Sequence, residues 1–397
     1  MTASTALSTL PPLEAAQAEQ SGRLVSLIRR RIQEAGGWIG FERFMELALY
    51  SPGLGYYSAG STKLGREGDF VTAPELSDLY SRCVARQCLE VLQFAPGGEI
   101  LEFGAGSGRL AAVVLESLAH WDALPSRYAI LEVSADLRAR QQARIGALPR
   151  ELAERVVWLD AWPQAPVRGV MLANEVLDAL PCIRFLVTAE AQRVQAIGVG
   201  RAADGSLALS ARAADAMLCE AVEEIERTLP EPFAAGYRSE LCPAVAPWIG
   251  AAADHLEQGA LLIFDYGLPR SQYYHRDRTE GTLRCYFRQR AHADPLLNVG
   301  AQDITAWVDF TRVAEAAVAA GLEVAGFTTQ AGFLLGAGID AALAAAGDAV
   351  QRARLSAEAR QLLLPGEMGE TFKAMALTRE VAGPLSGFAL QDLRASL

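Results

Sequence analysis

Lysine is nearly missing from this chain: of 36 basic residues only Lys63 and Lys373 are lysines, and arginine carries the rest of the positive charge. With abundant alanine, that points to a GC-rich bacterial genome, and it strips special meaning from any arginine standing where lysine is usual. Positive charge is itself the minority sign, 36 bases against 47 acids for a net charge of −11. That balance excludes a nonspecific nucleic-acid surface, because neutralising phosphates takes clustered positive charge. A polymer partner would then be a protein. No C-x-x-C pair occurs among the six cysteines (83, 88, 182, 219, 242, 285), and no histidine stands at metal-ligand spacing from them. No metal is assigned, and Cys83 and Cys88, five apart on an expected helix, read as core. The start of the chain has no basic residues leading an apolar block, its first arginine is Arg23, and no uninterrupted apolar run approaches about 18 residues. Secretion, a transit peptide and stable membrane insertion are not expected; a reducing cytoplasm fits, and assembly as a homo-oligomer stays open.

What is present is ample core: 397 residues, 51% hydrophobic. Residues 1–20 read as a flexible tail, and an amphipathic helix follows over SGRLVSLIRRRIQEAGG, with Ser21 as N-cap and Gly36–Gly37 as stop. The region 21–96 reads as a helical cap in which nothing alternates as a strand should. From residue 97 short apolar runs alternate with helices: EILEF, a helix from Ser107 to about His120, RYAILEV, a helix over 134–146, RVVWL and RGVMLAN. This is the rhythm of an α/β domain, a mostly parallel sheet with helices on both faces, running over 97–397. An antiparallel β insertion is expected at about 183–257, with a helix over 214–228. The parallel pattern resumes at GALLIFDYG (259–267), and an irregular Arg- and Tyr-rich loop extends to about 302. A helix over 311–320, LEVAGFTTQ, and a closing strand TFKAMALTR at 371–379 complete the domain.

Between the first strand and its helix stands GGEILEFGAGSGRLA, with glycines at 104, 106 and 108. The dinucleotide fingerprint G-x-G-x-x-G requires glycine at 109, and the chain has Arg109; the Walker A pattern fails at the same place. What remains is E-x-G-x-G-x-G. Glu102 at this strand end would repel a pyrophosphate and suits a ligand bearing a sulfonium and an ammonium. The turn over Gly104, Ala105, Gly106 and Gly108 lets the backbone approach such a ligand closely. Glu132, 24 residues after Gly108 (132 − 108), ends the second strand where a carboxylate accepts ribose hydroxyls. Asp160 ends the third, and reads equally as an acceptor for an adenine amino group or as a solvated loop acid. VMLANEVLDALP brings Asn174 and Glu175 to the mouth of the crevice, with Asp178 on the same face if a helical turn begins there. The competing reading is a helix-capping Asn followed by first-turn acids, and Asn174 can serve both purposes.

The stretches YSPGLGYYSAG, GDFVTAPELSDLY, LEFGAGSGRLA, ANEVLDALP, ELCP, DYG, GTLRCYFRQRAHADPL, GAQDITAWVDFT and MGETFKAMAL cover most of residues 45–380 in order. In them the chain resembles the MidA-like family of S-adenosylmethionine-dependent methyltransferases, which includes a mitochondrial complex I assembly factor that methylates an arginine; no family motif is missing. The resemblance implies a class I methyltransferase fold (Rossmann-like), S-adenosyl-L-methionine as cofactor, and symmetric dimethylation of arginine. It also implies a subunit of respiratory NADH:quinone oxidoreductase (complex I) as the protein substrate. Asp69 and Thr72 of GDFVTAPELS become candidate cofactor contacts, against the plainer reading of a turn plus helix cap.

Arginine is a protonated, delocalised cation and a poor nucleophile, so carboxylates that fix its fork and draw charge from the attacking nitrogen are needed. Glu175 and Asp178 are assigned that role, with Asp265 of FDYG as a reserve acid and Tyr266 as a wall. Six arginines and three tyrosines between Arg270 and His292 read as a solvated or internally paired loop, or else as a protein-docking lid. Two rival functions are a small-molecule methyltransferase and an assembly chaperone that binds the cofactor without methyl transfer. A nicotinamide dehydrogenase fails at Arg109.

Overall fold

Seven apolar runs of the chain become seven strands of one sheet in the computed structural model, which describes residues 10–58, 72–344 and 347–397. In chain order they are β1 (Glu99–Phe103), β2 (Tyr128–Leu131), β3 (Val156–Leu159), β4 (Val167–Asn174), β5 (Leu256–Leu268), β6 (Glu323–Thr329) and β7 (Phe372–Arg379). They lie side by side as β6-β7-β5-β4-β1-β2-β3. The pairings from β5 to β3 are parallel, whereas β7 runs antiparallel to both β5 and β6. A two-residue strand, Val308–Asp309, adds to β5 in parallel. Strands covered on both faces read as unbroken apolar runs, and every residue of β1 is buried.

The covering helices are α1 (Asp78–Phe94), α2 (Arg109–His120), α3 (Ala135–Gly146), α4 (Val245–His255) and α5 (Phe310–Ala319). Three start where a side chain takes an orphan backbone N–H: Ser77 accepts from Leu79, Ser134 from Leu137 and Asp309 from Arg312. Tyr80, Val84 and Cys88 of α1 pack with Val114 and Leu118 of α2 on Ile100, Val170, Leu172 and Phe264 of the sheet. Helices α4 and α5 pack against each other and against β5. Cys83 and Cys88 lie in this core as free thiols, and burial pushes both upward in pKa. Chain order reverses between β1 and its neighbour β4, which leaves a crevice at their carboxyl ends, the usual ligand position in an open α/β sheet.

The chain divides into two compact units, and this sheet belongs to the one comprising residues 71–178, 245–269 and 308–397. The other gathers the described residues up to 58 with 179–244 and 270–307. Helix α1 therefore goes with the sheet rather than with an N-terminal cap over 21–96, and the inserted segment ends at Ala244 rather than near 257.

Within the second unit, the first helix spans Ala15–Glu34 and starts six residues ahead of Ser21, inside the stretch read as a tail. Glu14 and Gln17 form a capping box there, and Ser21 is an interior residue beside the buried stripe Leu24, Ile28 and Ile32. A three-residue strand, Trp38–Gly40, pairs antiparallel with Val194–Arg201, too short for any alternation to register. The insertion adds Ile183–Val187, Leu207–Ala213 and Arg238–Leu241 to that antiparallel sheet. The segment expected to be irregular holds a three-stranded sheet, Arg284–Phe287, Arg290–His292 and Asp303–Thr305. Tyr273 and Tyr274 are buried, Arg278 lies 5.1 Å from the Trp307 ring centroid and Arg288 pairs with Glu14 at 2.7 Å, so much of its charge is internally engaged.

Candidate functional site

Gly104, Gly106 and Gly108 have φ of 60°, 54° and 79°, left-handed backbone that side chains rarely adopt. Gly108 is the N-cap of α2, and a Cβ there would stand 3.3 Å from the Gln141 Cα. Above Gly104, by contrast, a Cβ would meet only Val176 Cγ2 at 3.9 Å, and the residue is exposed. The turn thus presents open backbone on one side and packs tightly on α3 on the other. Arg109, the residue that breaks the dinucleotide fingerprint, reaches back to donate to Asp78 Oδ1 and to the Glu75 carbonyl, each at 3.0 Å. Ser107 donates to the Glu75 carboxylate, so the segment Ala73–Asp78 is clasped to the glycine turn. Thr72 is buried at the head of the four-residue helix Ala73–Leu76 and makes no side-chain cap bond; Asp69 lies outside the described residues.

Glu102 is 2% exposed and takes a 2.7 Å hydrogen bond from the Tyr128 hydroxyl. Burial pushes its carboxyl up to about 7, the Tyr128 bond opposes this, and the charge of Glu132 adds to it. Glu102 therefore holds its proton more tightly folded than unfolded. Stability should fall as pH rises from the ordinary value of 4.5 to about 7 and then level off. Glu102→Gln, which keeps an acceptor for Tyr128, should flatten that part of the profile, as melting temperatures read between about pH 5 and pH 8 would show; an unchanged slope would refute it.

Glu132, also buried, accepts from Ser134 N at 2.8 Å and from Gln141 Nε2 at 2.9 Å. Gln141 Nε2 donates as well to the Gly106 carbonyl at 3.0 Å, and its Oε1 accepts from Trp158 Nε1 at 3.0 Å. One fully buried amide thus ties the glycine turn, the β2 acid and β3 together. Its signal was a lone polar residue on the buried stripe Leu137, Gln141, Ile145 of α3. Val133, next to Glu132, is 74% exposed. The Asp160 side chain is 87% exposed and pairs with Arg138 at 2.7 Å, as a solvated loop acid does.

No helix begins after Asn174, and the next element is the strand Ile183–Val187. That removes the helix-capping reading of Asn174 and the helical-face argument for Glu175 and Asp178. Instead Glu175 has φ +54°, left-handed backbone that costs a non-glycine residue about 1–2 kcal/mol, and its N–H donates to the Phe264 carbonyl at 2.8 Å. Asp265, wholly buried, accepts from the backbone N–H groups of Leu177, Asp178 and Tyr266 at 2.9, 3.2 and 2.8 Å. Desolvation and the nearby Glu175 push it up to about 8 against these bonds. Asp265 staples the turn that carries Glu175 and the buried Asp178. Tyr266 lies on Phe372 with ring centroids 3.9 Å apart. The Tyr80 hydroxyl donates to Asn174 Oδ1 at 2.6 Å, a partner the sequence reading missed.

The pattern of a family of S-adenosyl-L-methionine-dependent methyltransferases matches residues 83–328. The chain belongs to this MidA-like methyltransferase family. A Burkholderia thailandensis protein solved with S-adenosyl-homocysteine bound is 40% identical to the MidA-like chain, covers 98% of it and 100% of its own length, and superposes with a TM-score of 0.92. Mitochondrial protein arginine methyltransferase NDUFAF7 of Mus musculus is 28% identical, over 92% of this chain and 86% of its own. The homologue named for the same activity in Drosophila melanogaster is 29% identical over 76% and 73%. The fold is that of class I methyltransferases and the cofactor of this MidA-like protein is S-adenosyl-L-methionine. An open glycine turn flanked by two buried carboxylates fits that cationic group. Among the described residues, no cluster of His, Cys, Asp and Glu could hold a metal ion, and no helix is long and apolar enough to cross a membrane.

Proposed function

We propose that this methyltransferase acts on a protein arginine, whose guanidinium is received by Glu175 and Asp178. The observation that carries the reading is the acid-bearing turn after β4, held by Asp265 at the carboxyl end of the strand next to the glycine turn. The cofactor, when bound, supplies a methyl group on a sulfonium. The backbone of Gly104, Ala105, Gly106 and Gly108 would hold it, Glu132 would accept the ribose hydroxyls, and Val133 would offer an apolar face to the adenine. Glu102, once ionised above about pH 7, would contribute negative potential from beneath the turn, and Asn174, Thr72 and Asp69 are the candidate contacts for the methionine end. The guanidinium remains protonated at any ordinary pH, so the carboxylates would fix its fork, draw charge from the nitrogen facing the methyl and take the proton that this nitrogen sheds, with S-adenosylhomocysteine as the leaving group. Arginine as acceptor is supported by the names of the mouse and fly relatives. The product is symmetric dimethylarginine, formed in the cytoplasm on a subunit of respiratory complex I.

The test is incubation of the purified protein and methyl-tritiated S-adenosylmethionine with extract of host cells lacking the gene, followed by amino-acid analysis of labelled protein. Label in symmetric dimethylarginine supports the reading. Label confined to small molecules, or binding of S-adenosylhomocysteine without any label transferred, would overturn it in favour of a small-molecule enzyme or a cofactor-binding chaperone.

A further inference from the structure

We propose that Tyr80 is a positioning residue for methyl transfer, its buried hydroxyl deciding which way the Asn174 amide faces and, through it, how Glu175 is held. The inference rests on the reading of Glu175 as the acid that receives the acceptor. Tyr80 is the third residue of α1, 0% exposed, with its ring edge-on to Phe264 at 5.7 Å between centroids. A phenylalanine would satisfy that packing equally well. What tyrosine adds is a hydroxyl, and a buried hydroxyl needs a partner; here it is Asn174 Oδ1 at 2.6 Å.

An amide offers an acceptor on one arm and donors on the other, so committing its oxygen to Tyr80 commits its nitrogen elsewhere. Asn174 Nδ2 stands 3.2 Å from Glu175 Oε1 and donates to it. In the flipped amide, Oδ1 would face the carboxylate oxygen, acceptor against acceptor. Tyr80 as donor makes both contacts of the chain favourable in one orientation only. Burial and the charges of Glu175, Glu102 and Asp265 all push the phenol well above its ordinary pKa, so it stays a donor at working pH. The same tyrosine supports Glu175 by a second path, because the Phe264 it packs on supplies the carbonyl that receives the Glu175 N–H. With its backbone in the left-handed region, Glu175 leaves the strand end in a direction that needs such fixing.

The experiment is a double-mutant cycle of Tyr80→Phe and Asn174→Asp, with Glu175→Gln alongside. Initial rates use methyl-tritiated S-adenosylmethionine at saturation and protein extract of gene-deleted host cells as acceptor. Rates are expressed per S-adenosylhomocysteine-binding site, so loss of folded protein does not count. Tyr80→Phe should lower turnover about tenfold, the value of one buried hydrogen bond, with S-adenosylhomocysteine affinity within about twofold of wild type. In the Asn174→Asp background, where no amide is left to orient, Tyr80→Phe should cause no further loss. A merely structural tyrosine would lower the melting temperature in both backgrounds and leave turnover per site unchanged. Wild-type turnover in Tyr80→Phe, or losses that add in the double variant, would overturn the proposal while Glu175→Gln still reports on the acid itself. Should Glu175→Gln also turn over normally, the reading of the acid falls and the role of Tyr80 falls with it.

Discussion

Glu175→Gln is expected to lower methyl transfer by about a hundredfold to a thousandfold, the range found when one preorganised electrostatic contact to a reacting centre is removed. Glutamine matches the shape of glutamate and leaves the left-handed backbone at φ +54° unrelieved, so the turn should survive. What disappears is the charge. A carboxylamide cannot bind a guanidinium fork bidentately, and it cannot draw positive charge from the attacking nitrogen. It can also present an NH₂ to Asn174 Nδ2, donor against donor, where Oε1 now accepts at 3.2 Å. Asp265 should respond as well: burial raises it most and the Glu175 charge adds to this, so without that charge its pKa should drop below about 8 while burial still holds it above the ordinary value. The check is turnover with labelled cofactor beside a separate calorimetric titration with S-adenosylhomocysteine. Unchanged turnover with intact cofactor binding would remove Glu175 from the mechanism, and lost cofactor affinity alone would make it a binding residue.

The parts of this site that were legible in the sequence are those written in contiguous residues. EILEF followed by G-x-G-x-G announces a strand, a left-handed turn and a helix in one run, and the acids of LEV and LDA fall at strand ends because their runs stop there. Short apolar runs could likewise be ordered into a wound sheet, since parallel crossovers allow few arrangements. What stayed hidden depends on partners remote in sequence. Asn174 looks like a helix cap until Asp265, 87 residues on from Asp178 (265 − 178), is seen taking the N–H groups that a helix would have used. Tyr80 and Gln141 each look like filler in an amphipathic helix, and only the folded chain reveals that one holds Asn174 and the other Glu132. The unit boundaries were hidden for a similar reason, because residues 270–307 join the inserted segment through contacts no local pattern encodes, such as the Arg238–Glu280 bridge, the Phe233–Tyr274 ring pair and the Tyr274 hydroxyl on the Glu240 carbonyl.

Glu132→Ala is expected to weaken S-adenosylhomocysteine binding on the order of a hundredfold, while turnover at saturating cofactor stays within a few-fold of wild type. Each hydrogen bond to a charged group contributes about 1.5–3 kcal/mol, so even partial loss of a pair to the ribose hydroxyls amounts to about 3 kcal/mol. The magnitude is large because the carboxylate is prepared in advance: it is 5% exposed and oriented by Ser134 N and Gln141 Nε2 before any ligand arrives. Truncation should leave the turn in place, because Gln141 keeps its bonds to the Gly106 carbonyl and to Trp158. Asp160 supplies the contrast. With 87% of its side chain exposed and its charge already paired with Arg138, Asp160→Ala should change the affinity by no more than about threefold, as expected for an exposed ion pair. Calorimetry on the two variants separates the cases: equal losses would mean that depth of burial does not decide which strand-end acid grips the cofactor, and a hundredfold loss confined to Asp160→Ala would move the ribose acceptor from β2 to β3.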